Sequence, residues 1–91
     1  MRFEWDEARR RTNLRRHGFD FADSEQVFAD ATATIQDDRF DYGEDRVLTF
    51  GILDGRVVAI IHTETDEVIR IISFRKALKN EEERYFKEIR D

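Results

Sequence analysis

Apolar and polar positions alternate most regularly in the second half of the chain. Three runs rich in β-branched residues predict strands over 46–52, 56–63 and 68–76. Asp54-Gly55 separates the first two runs, and both residues tolerate the positive φ angles of a tight hairpin turn. Because short links join all three strands, the pattern predicts an antiparallel meander. Its predicted inward-facing residues are Leu48, Phe50, Val58, Ile60, Ile69 and Ile71.

The N-terminal segment predicts a short strand followed by a helix. Phe3 and Trp5 alternate with charged residues, which indicates the strand. Asp6 is a suitable N-cap for a helix over 7–17, and Gly18 is a suitable residue for its C-terminal end.

The predicted helix over 7–17 is strongly polar. Asp6, Arg9, Asn13 and either Arg16 or His17 are spaced three or four residues apart, so they share one face. A helix this polar exposes most of its surface or offers that face to a ligand. Two interpretations therefore stay open: a solvated helix with internal ion pairs, and a ligand-binding surface.

Three further elements complete the prediction. A short amphipathic helix follows Asp20, and residues 32–36 alternate weakly, as is typical of an edge strand. A last helix over about 81–90 has Asn80 as N-cap and Glu83 three residues on, as in a capping box. Its apolar stripe, which we expect in the core, is Tyr85, Phe86 and Ile89.

These elements predict a single α+β domain over residues 1–91. It consists of a small twisted antiparallel sheet, a meander, with N-terminal helices and a C-terminal helix packed on it. There is no apolar run of membrane-spanning length, and the N-terminus lacks the apolar core of a signal peptide. The chain has no cysteine, so it forms no disulfide and no thiolate metal site, which fits a reducing cytosol.

Charge is distributed unevenly along the chain. Its net value is −5, but residues 1–19 carry six arginines against three acids, whereas residues 20–45 carry nine acids against one arginine. Such asymmetry directs the basic parts toward phosphates and the acidic part toward a basic protein, unless both are simply solvated. A metal in the acidic stretch 37–45 is conceivable, but the spacing there does not match an EF-hand loop.

The chemistry-bearing residues are mainly arginines. Spacing alone shows no Gly-rich phosphate loop, no HExxH motif and no nucleophile elbow. Two arginines lie inside the apolar run 68–76, although arginine is rarely buried without a partner. The planar guanidinium group of arginine suits phosphate. Histidine can transfer protons near neutral pH, although a lone histidine is more often structural. The candidate anion-binding cluster is Arg9, Arg46, Arg70 and Arg75, with His62 on the central strand.

Several segments taken in order resemble one family. They are Phe3-Glu4-Trp5-Asp6, Arg9, Asn13, His17-Gly18 and Phe21, then Glu44, Arg46 and Gly51 in an E-x-R-x-x-x-x-G pattern, His62-Thr63, and finally Arg70-Ile71-Ile72-Ser73-Phe74-Arg75-Lys76-Ala77 with Glu83 and Tyr85. Together they resemble the BrnT family of toxins from bacterial type II toxin–antitoxin systems. The chain departs from the family pattern at Arg9, where many members have lysine, and at Phe74, where alanine is frequent.

The resemblance implies a RelE-like fold and a ribonuclease that inhibits translation and growth. It further implies neutralisation by a cognate ribbon-helix-helix antitoxin, similar to BrnA, which binds the operator and represses the shared operon. In that picture the toxin contacts RNA and reaches operator DNA only through the antitoxin. It acts in the cytoplasm without a membrane, a cofactor or a metal.

The resemblance and the residue chemistry together give the predicted site. Arg70 and Arg75 are expected to clamp the phosphate, with Arg46 in support. His62 is the first candidate for proton transfer, and Glu44 and Tyr85 are the alternatives. The residues expected to line the RNA path are Arg9, Asn13, His17 and Lys76.

Two rival functions follow from other interpretations of the same arginines. If they only pair with carboxylates, the protein is a non-catalytic antitoxin-binding module that acts as co-repressor of its operon. A DNA-binding regulator acting alone is a weaker alternative, because the basic residues do not gather on one recognition helix and the net charge is negative.

Overall fold

A computed structural model describes residues 1–38 and 43–90 of the chain. Its strands form one five-stranded sheet in the order β1-β5-β4-β3-β2. In chain order the elements are β1 (Arg2–Glu4), α1 (Glu7–His17), a 3₁₀ helix (Phe21–Asp23), α2 (Ser24–Phe28), β2 (Ala33–Asp37), β3 (Arg46–Leu53), β4 (Arg56–Glu64), β5 (Val68–Lys76) and α3 (Lys79–Arg90).

The α+β class is confirmed, β3 to β5 form the predicted antiparallel meander, and β2 pairs with β3 as the predicted edge strand. The prediction of a wholly antiparallel sheet is wrong in one place, because β1 pairs with β5 in parallel, with Phe3 opposite Ile69. The helical segment after β1 carries the chain from one edge of the sheet to the other before β2 begins. This crossover leaves β1 running in the same direction as β5.

The predicted hairpin between β3 and β4 is confirmed. Asp54 and Gly55 have φ angles of 52° and 78°, the left-handed values that a two-residue hairpin turn requires. The pairing of β4 with β5 contains a β-bulge, because His62 pairs with Ile71 whereas Ile61 pairs with Ser73. Ile72 is the extra residue, so Ser73 lies on the same face of the sheet as residues 70 and 75.

All six residues predicted to face inward are buried, but they lie on two faces of the sheet. Leu48 and Phe50 belong to a cluster that also holds Tyr85 of α3. The other four belong to a cluster with Phe21 and Val27, from the 3₁₀ helix and α2. The sheet is therefore covered on both faces, and each strand contributes alternate residues to the two cores.

The C-terminal helix begins earlier than predicted. α3 starts at Lys79, so Asn80 lies inside the helix and is not its N-cap. Glu81 supplies the cap instead, since its carboxylate accepts a hydrogen bond from the backbone N–H of Leu78 at 2.8 Å. Of the predicted apolar stripe, Tyr85 is buried whereas Phe86 and Ile89 are about two-fifths exposed, at 42% and 41%.

Part of the predicted acidic loop over 37–45 lies outside the described residues, namely 39–42. Asp37 is the last residue of β2 and is buried. No helix within residues 1–38 and 43–90 is long and apolar enough to cross a membrane.

Candidate functional site

Helix α1 lies against β5 where that strand continues beyond its pairing with β1. Among the described residues of α1, Asn13 alone is buried. Its side-chain Nδ2 donates to the carbonyls of Phe74 at 2.8 Å and Phe19 at 3.0 Å, and its Oδ1 accepts from the N–H of Phe74 at 3.1 Å. The amide of Asn13 thus pairs with both backbone groups of Phe74, as a neighbouring strand would.

The ends of α1 are fixed by the local signals that the sequence carries. Asp6 accepts a hydrogen bond from the backbone N–H of Arg9 at 3.0 Å, so it is the N-cap. Gly18 has φ 78° and its N–H donates to the carbonyl of Leu14. The other side chains of the helix are exposed, except that of Arg10, which is partly buried and forms ion pairs with Glu7 and Asp20.

A groove of about 330 Å³ lies between α1 and the sheet. We call it the basic groove. From α1 it is lined by Arg9, Thr12, Asn13, Arg16 and His17. From the sheet it is lined by Arg46, Ile61, Ile72 and Ser73. Three guanidinium groups and one imidazole therefore surround a floor of two isoleucines and a serine, which suits an anionic ligand.

His17 contributes the imidazole of the basic groove. Partial burial lowers its pKa below the ordinary value of 6.5, and the positive charges of Arg16 and Arg75 lower the pKa further. An anion bound beside His17 opposes those two charges and so raises its pKa. The imidazole is exposed, so a ligand in the groove can reach it.

Arg75 stands at the margin of the basic groove, where its charge acts on His17, but its guanidinium is engaged. Both of its terminal nitrogens contact the carboxylate of Glu81, at 2.7 and 3.0 Å, in a bidentate pair. The two side chains are only 18% and 13% exposed. Arg75 thereby ties β5 to the first turn of α3.

Arg46 forms an ion pair with Glu44, Nε to Oε2 at 3.1 Å. Glu44 is exposed just before β3, and its partner lines the basic groove. The ion pair therefore places the carboxylate of Glu44 beside the cationic residues that line the basic groove.

Three other predicted site residues lie outside the basic groove. Arg70 lines a small cavity beside Glu4 and Asp6 near the N-terminus. Lys76 is exposed at the end of β5. Tyr85 belongs to α3 and its side chain is buried between that helix and the sheet. Its hydroxyl donates to the carbonyl of Ala31 at 3.0 Å, and burial raises its pKa.

The structure does not bring His62 together with the arginines. His62 is 1% exposed, and the ring of Phe28 stands edge-on to it, with centroids 5.0 Å apart. Its Nε2 is 2.7 Å from the hydroxyl of Thr49. Burial lowers its pKa, and the charge of Glu64 partly opposes that effect. His62 therefore lies on the α2 face of the sheet, whereas the arginines of the groove lie on the other side.

The chain matches a family model over residues 5–81, which is most of its length. That model is described as ribonuclease toxin, BrnT, of type II toxin–antitoxin system. The chain belongs to the BrnT family. No curated protein matches it.

Membership of the BrnT family defines the system in which the chain works. Type II toxin–antitoxin systems pair a toxin with a protein antitoxin, so a protein partner follows from the family. The match covers the whole of α1, β3, β4 and β5, and with them every residue that lines the basic groove. Within residues 1–38 and 43–90, no three histidine or acidic side chains converge to form a metal site.

Two polar residues of the basic groove, Thr12 and Ser73, were not predicted, and Arg16 was predicted only as an alternative to His17. Helical spacing from Arg9 would have found Thr12 and Arg16 together, because residues three and seven apart share a helix face. Ser73 lies in the segment 70–77 that carries the family resemblance. The β-bulge at Ile72 determines which face of the sheet it occupies, and the sequence pattern does not reveal that bulge.

Proposed function

We propose that the chain is a metal-independent endoribonuclease and that the basic groove binds the RNA backbone. The observation that carries the proposal is the convergence of Arg9, Arg16 and His17 from α1 with Arg46 from β3 on one open groove. Arginine forks bind phosphate oxygens in two-pronged geometry, and a cluster of them offsets the charge of a bent backbone.

In this proposal the RNA supplies its own nucleophile. The 2′-hydroxyl attacks the adjacent phosphorus and the bond to the 5′-oxygen breaks, leaving a 2′,3′-cyclic phosphate. Glu44 accepts the proton of the 2′-hydroxyl. His17, protonated because the bound phosphate raises its pKa, donates a proton to the leaving 5′-oxygen. Arg9, Arg16 and Arg46 stabilise the charge that builds on the phosphoryl oxygens.

The other predicted site residues take supporting parts in the proposal. Arg70 and Lys76 contact the RNA backbone beyond the cleaved bond. Asn13 positions α1 through its three hydrogen bonds, and Arg75 positions α3 through Glu81 while its charge acts on His17. His62 and Tyr85 have no part in the chemistry.

We further propose the partner and the setting. The antitoxin is of the ribbon-helix-helix type, similar to BrnA, and it carries the operator-binding surface, so the toxin reaches DNA through it. The fold is RelE-like, and cleavage takes place in the cytoplasm, where it stops translation and growth. The negative net charge of −5 favours association with a basic protein.

The test is RNA cleavage by the purified protein in EDTA. The variant Arg9→Gln/Arg16→Gln removes two charges from the basic groove. The matched control Arg11→Gln/Arg15→Gln removes two exposed arginines of the same helix that do not line the groove. We expect wild type and control to leave 2′,3′-cyclic phosphate ends, and the groove variant to be slower by roughly 100-fold. Equal rates for the two folded variants, or cleavage that requires a metal, contradict the proposal.

A second function is favoured by the pairing of Arg75 with Glu81 and by the internal hydrogen bonds of Asn13. Both residues are fully engaged, as expected of a non-catalytic module that binds the antitoxin and acts as co-repressor. Under that function neither free RNA nor RNA on translating ribosomes is cut, and the groove variant changes only antitoxin affinity or operator repression.

A further inference from the structure

A second cavity lies on the opposite side of the sheet from the basic groove. Its volume is about 580 Å³, and the start of the chain, α2 and strands β2 to β5 surround it. None of the residues that line the basic groove takes part in it. We call it the α2 pocket. The residues that matter for its chemistry are Phe3, Glu25, Phe28, Thr34, His62 and Glu64.

A chain of hydrogen bonds runs across the sheet beneath the α2 pocket. The hydroxyls of Thr34 and Thr49 are 2.9 Å apart, and the hydroxyl of Thr49 is 2.7 Å from Nε2 of His62. Thr49 and His62 are buried, whereas Thr34 is exposed at the outer end. Thr34, on the edge strand, thus offers its hydroxyl oxygen to the pocket. That hydroxyl is hydrogen-bonded to Thr49, which is in turn hydrogen-bonded to His62.

His62 at the inner end of this chain is incompletely satisfied. Its Nδ1 forms no well-aligned hydrogen bond within residues 1–38 and 43–90, although the backbone of Thr63 interacts with the imidazole and the side chain is 1% exposed. A buried polar atom without a partner lowers stability, and such atoms are rare in folded proteins. Because His62 lines the α2 pocket, its incompletely hydrogen-bonded imidazole points to a polar ligand there.

The residues that line the α2 pocket favour a positively charged ligand. Two exposed carboxylates, Glu25 and Glu64, line it against one positive group, the α-ammonium of Met1, and no lysine or arginine side chain is among its described lining residues. The rings of Phe3 and Phe28 pack together with centroids 5.6 Å apart. Carboxylates and aromatic faces both attract an ammonium or guanidinium group, and the same carboxylates repel phosphate.

We propose that the α2 pocket is a binding site for an arginine or lysine side chain of a partner protein. The cationic head lies between Glu25 and Glu64 and donates to Thr34, while its aliphatic stem packs on Phe3 and Phe28. The aromatic rings thus contact the aliphatic stem, and the carboxylates pair with the cationic head. The threonine at the outer end of the threonine–histidine chain accepts a hydrogen bond from that head.

This inference rests on the proposed function only in naming the partner, which is then a basic segment of the antitoxin. RNA is disfavoured as the occupant, because its phosphates would meet two carboxylates. With the basic groove on one side of the sheet and the α2 pocket on the other, the antitoxin holds the toxin at a surface that is separate from the RNA site.

The test is a titration of the isotopically labelled full chain with Nα-acetyl-argininamide, followed by the NMR signals of Thr34, Thr49 and His62. No RNA is present, so the result does not depend on whether the protein cleaves RNA. The variant Glu25→Gln/Glu64→Gln removes the charges of the pocket. The matched control Glu83→Gln/Glu88→Gln removes two exposed carboxylates of α3.

We expect saturable shifts of the three residues in wild type and control, and about tenfold weaker binding in the pocket variant. The proposal is overturned if the probe shifts none of these signals, or if the pocket variant binds as well as the control. It is also overturned if AMP, titrated in the same way, binds the α2 pocket better than the arginine derivative.

Discussion

Helices α1 and α2 are attached to the same sheet by different means. α1 contributes no apolar side chain to either core and is held through the amide of Asn13, which pairs with the backbone of β5. α2 is held by apolar packing, with Val27 fully buried against the glycine at position 51 of β3. One attachment is polar and lies at a strand edge, and the other is apolar and lies on a sheet face.

This difference explains what each helix offers to a ligand. Because Asn13 makes the buried contacts of α1, the arginines of that helix stay exposed and can line the basic groove. Because α2 packs closely, the pocket beside it is built from aromatic rings and a buried polar chain. The groove on one side of the sheet is thus lined by three arginines, and the pocket on the other side is lined by two glutamates.

The largest expected effect comes from removing the polar attachment. Asn13→Ala leaves the N–H and carbonyl of Phe74 and the carbonyl of Phe19 without their partner, and each such group is costly when buried. We expect the free energy of unfolding to fall by about 3 kcal/mol in urea denaturation. The exposed neighbour Thr12→Ala is the control and should cost about 0.5 kcal/mol or less. Equal losses for the two variants would show that α1 is held by something else.

The apolar attachment should respond to added volume. A Cβ at Gly51 would lie 2.6 Å from Cγ1 of Val27, so Gly51→Ala forces α2 away from the sheet. We expect a loss of about 2 kcal/mol. In a double-mutant cycle, Val27→Ala should cost less in the Gly51→Ala background than in wild type, because it removes the clashing methyl group. Additive losses would contradict the close packing.

Acid should weaken the α2 side through His62. Burial lowers the pKa of His62 in the folded state below 6.5, so the unfolded chain takes up its proton first as the pH falls. The contribution to stability is therefore fully present above pH 6.5 and is lost as the pH drops toward the folded pKa. Urea denaturation between pH 7.5 and 5.5 measures this slope. The slope should be shallower in His62→Gln, and an unchanged slope would rule out His62 as its cause.

The smallest expected effect is a shift in the titration of His17 on the groove side. Its pKa is lowered by burial and by Arg16 and Arg75, so Arg16→Gln should raise it. Inorganic phosphate bound in the basic groove should raise it as well. NMR titration of the imidazole protons measures both changes, with Arg11→Gln as the matched control. A pKa that phosphate leaves unchanged would mean that no anion binds beside His17.

The parts of the fold set by neighbouring residues could be predicted from the sequence. Asp6 and Gly18 bound α1, and Asp54-Gly55 forms the hairpin, because a cap or a tight turn depends on a few adjacent residues. The start of α3 was missed because Asn80 and Glu81 both suit a helix N-terminus. The choice depends on Arg75, which holds Glu81 from another element.

The candidate site depended on contacts that local patterns do not contain. Arg9, Asn13, His17 and Arg46 were predicted and do meet in one groove, since helical spacing and the strand pattern place their side chains. His62 was expected beside them, but alternation along β4 puts it on the other face. The engagement of Arg75 by Glu81 likewise required the packing of α3.

The most direct test of the proposed function is to determine which side of the sheet contacts RNA. We would titrate the labelled protein with a short 2′-O-methyl RNA, which cannot supply the attacking hydroxyl and so stays intact. We expect shifts at Arg9, Arg16, His17 and Arg46, with an affinity that falls steeply as salt is added, and no change at Thr34 or His62. Shifts centred on the α2 pocket, with the basic groove unaffected, would contradict it.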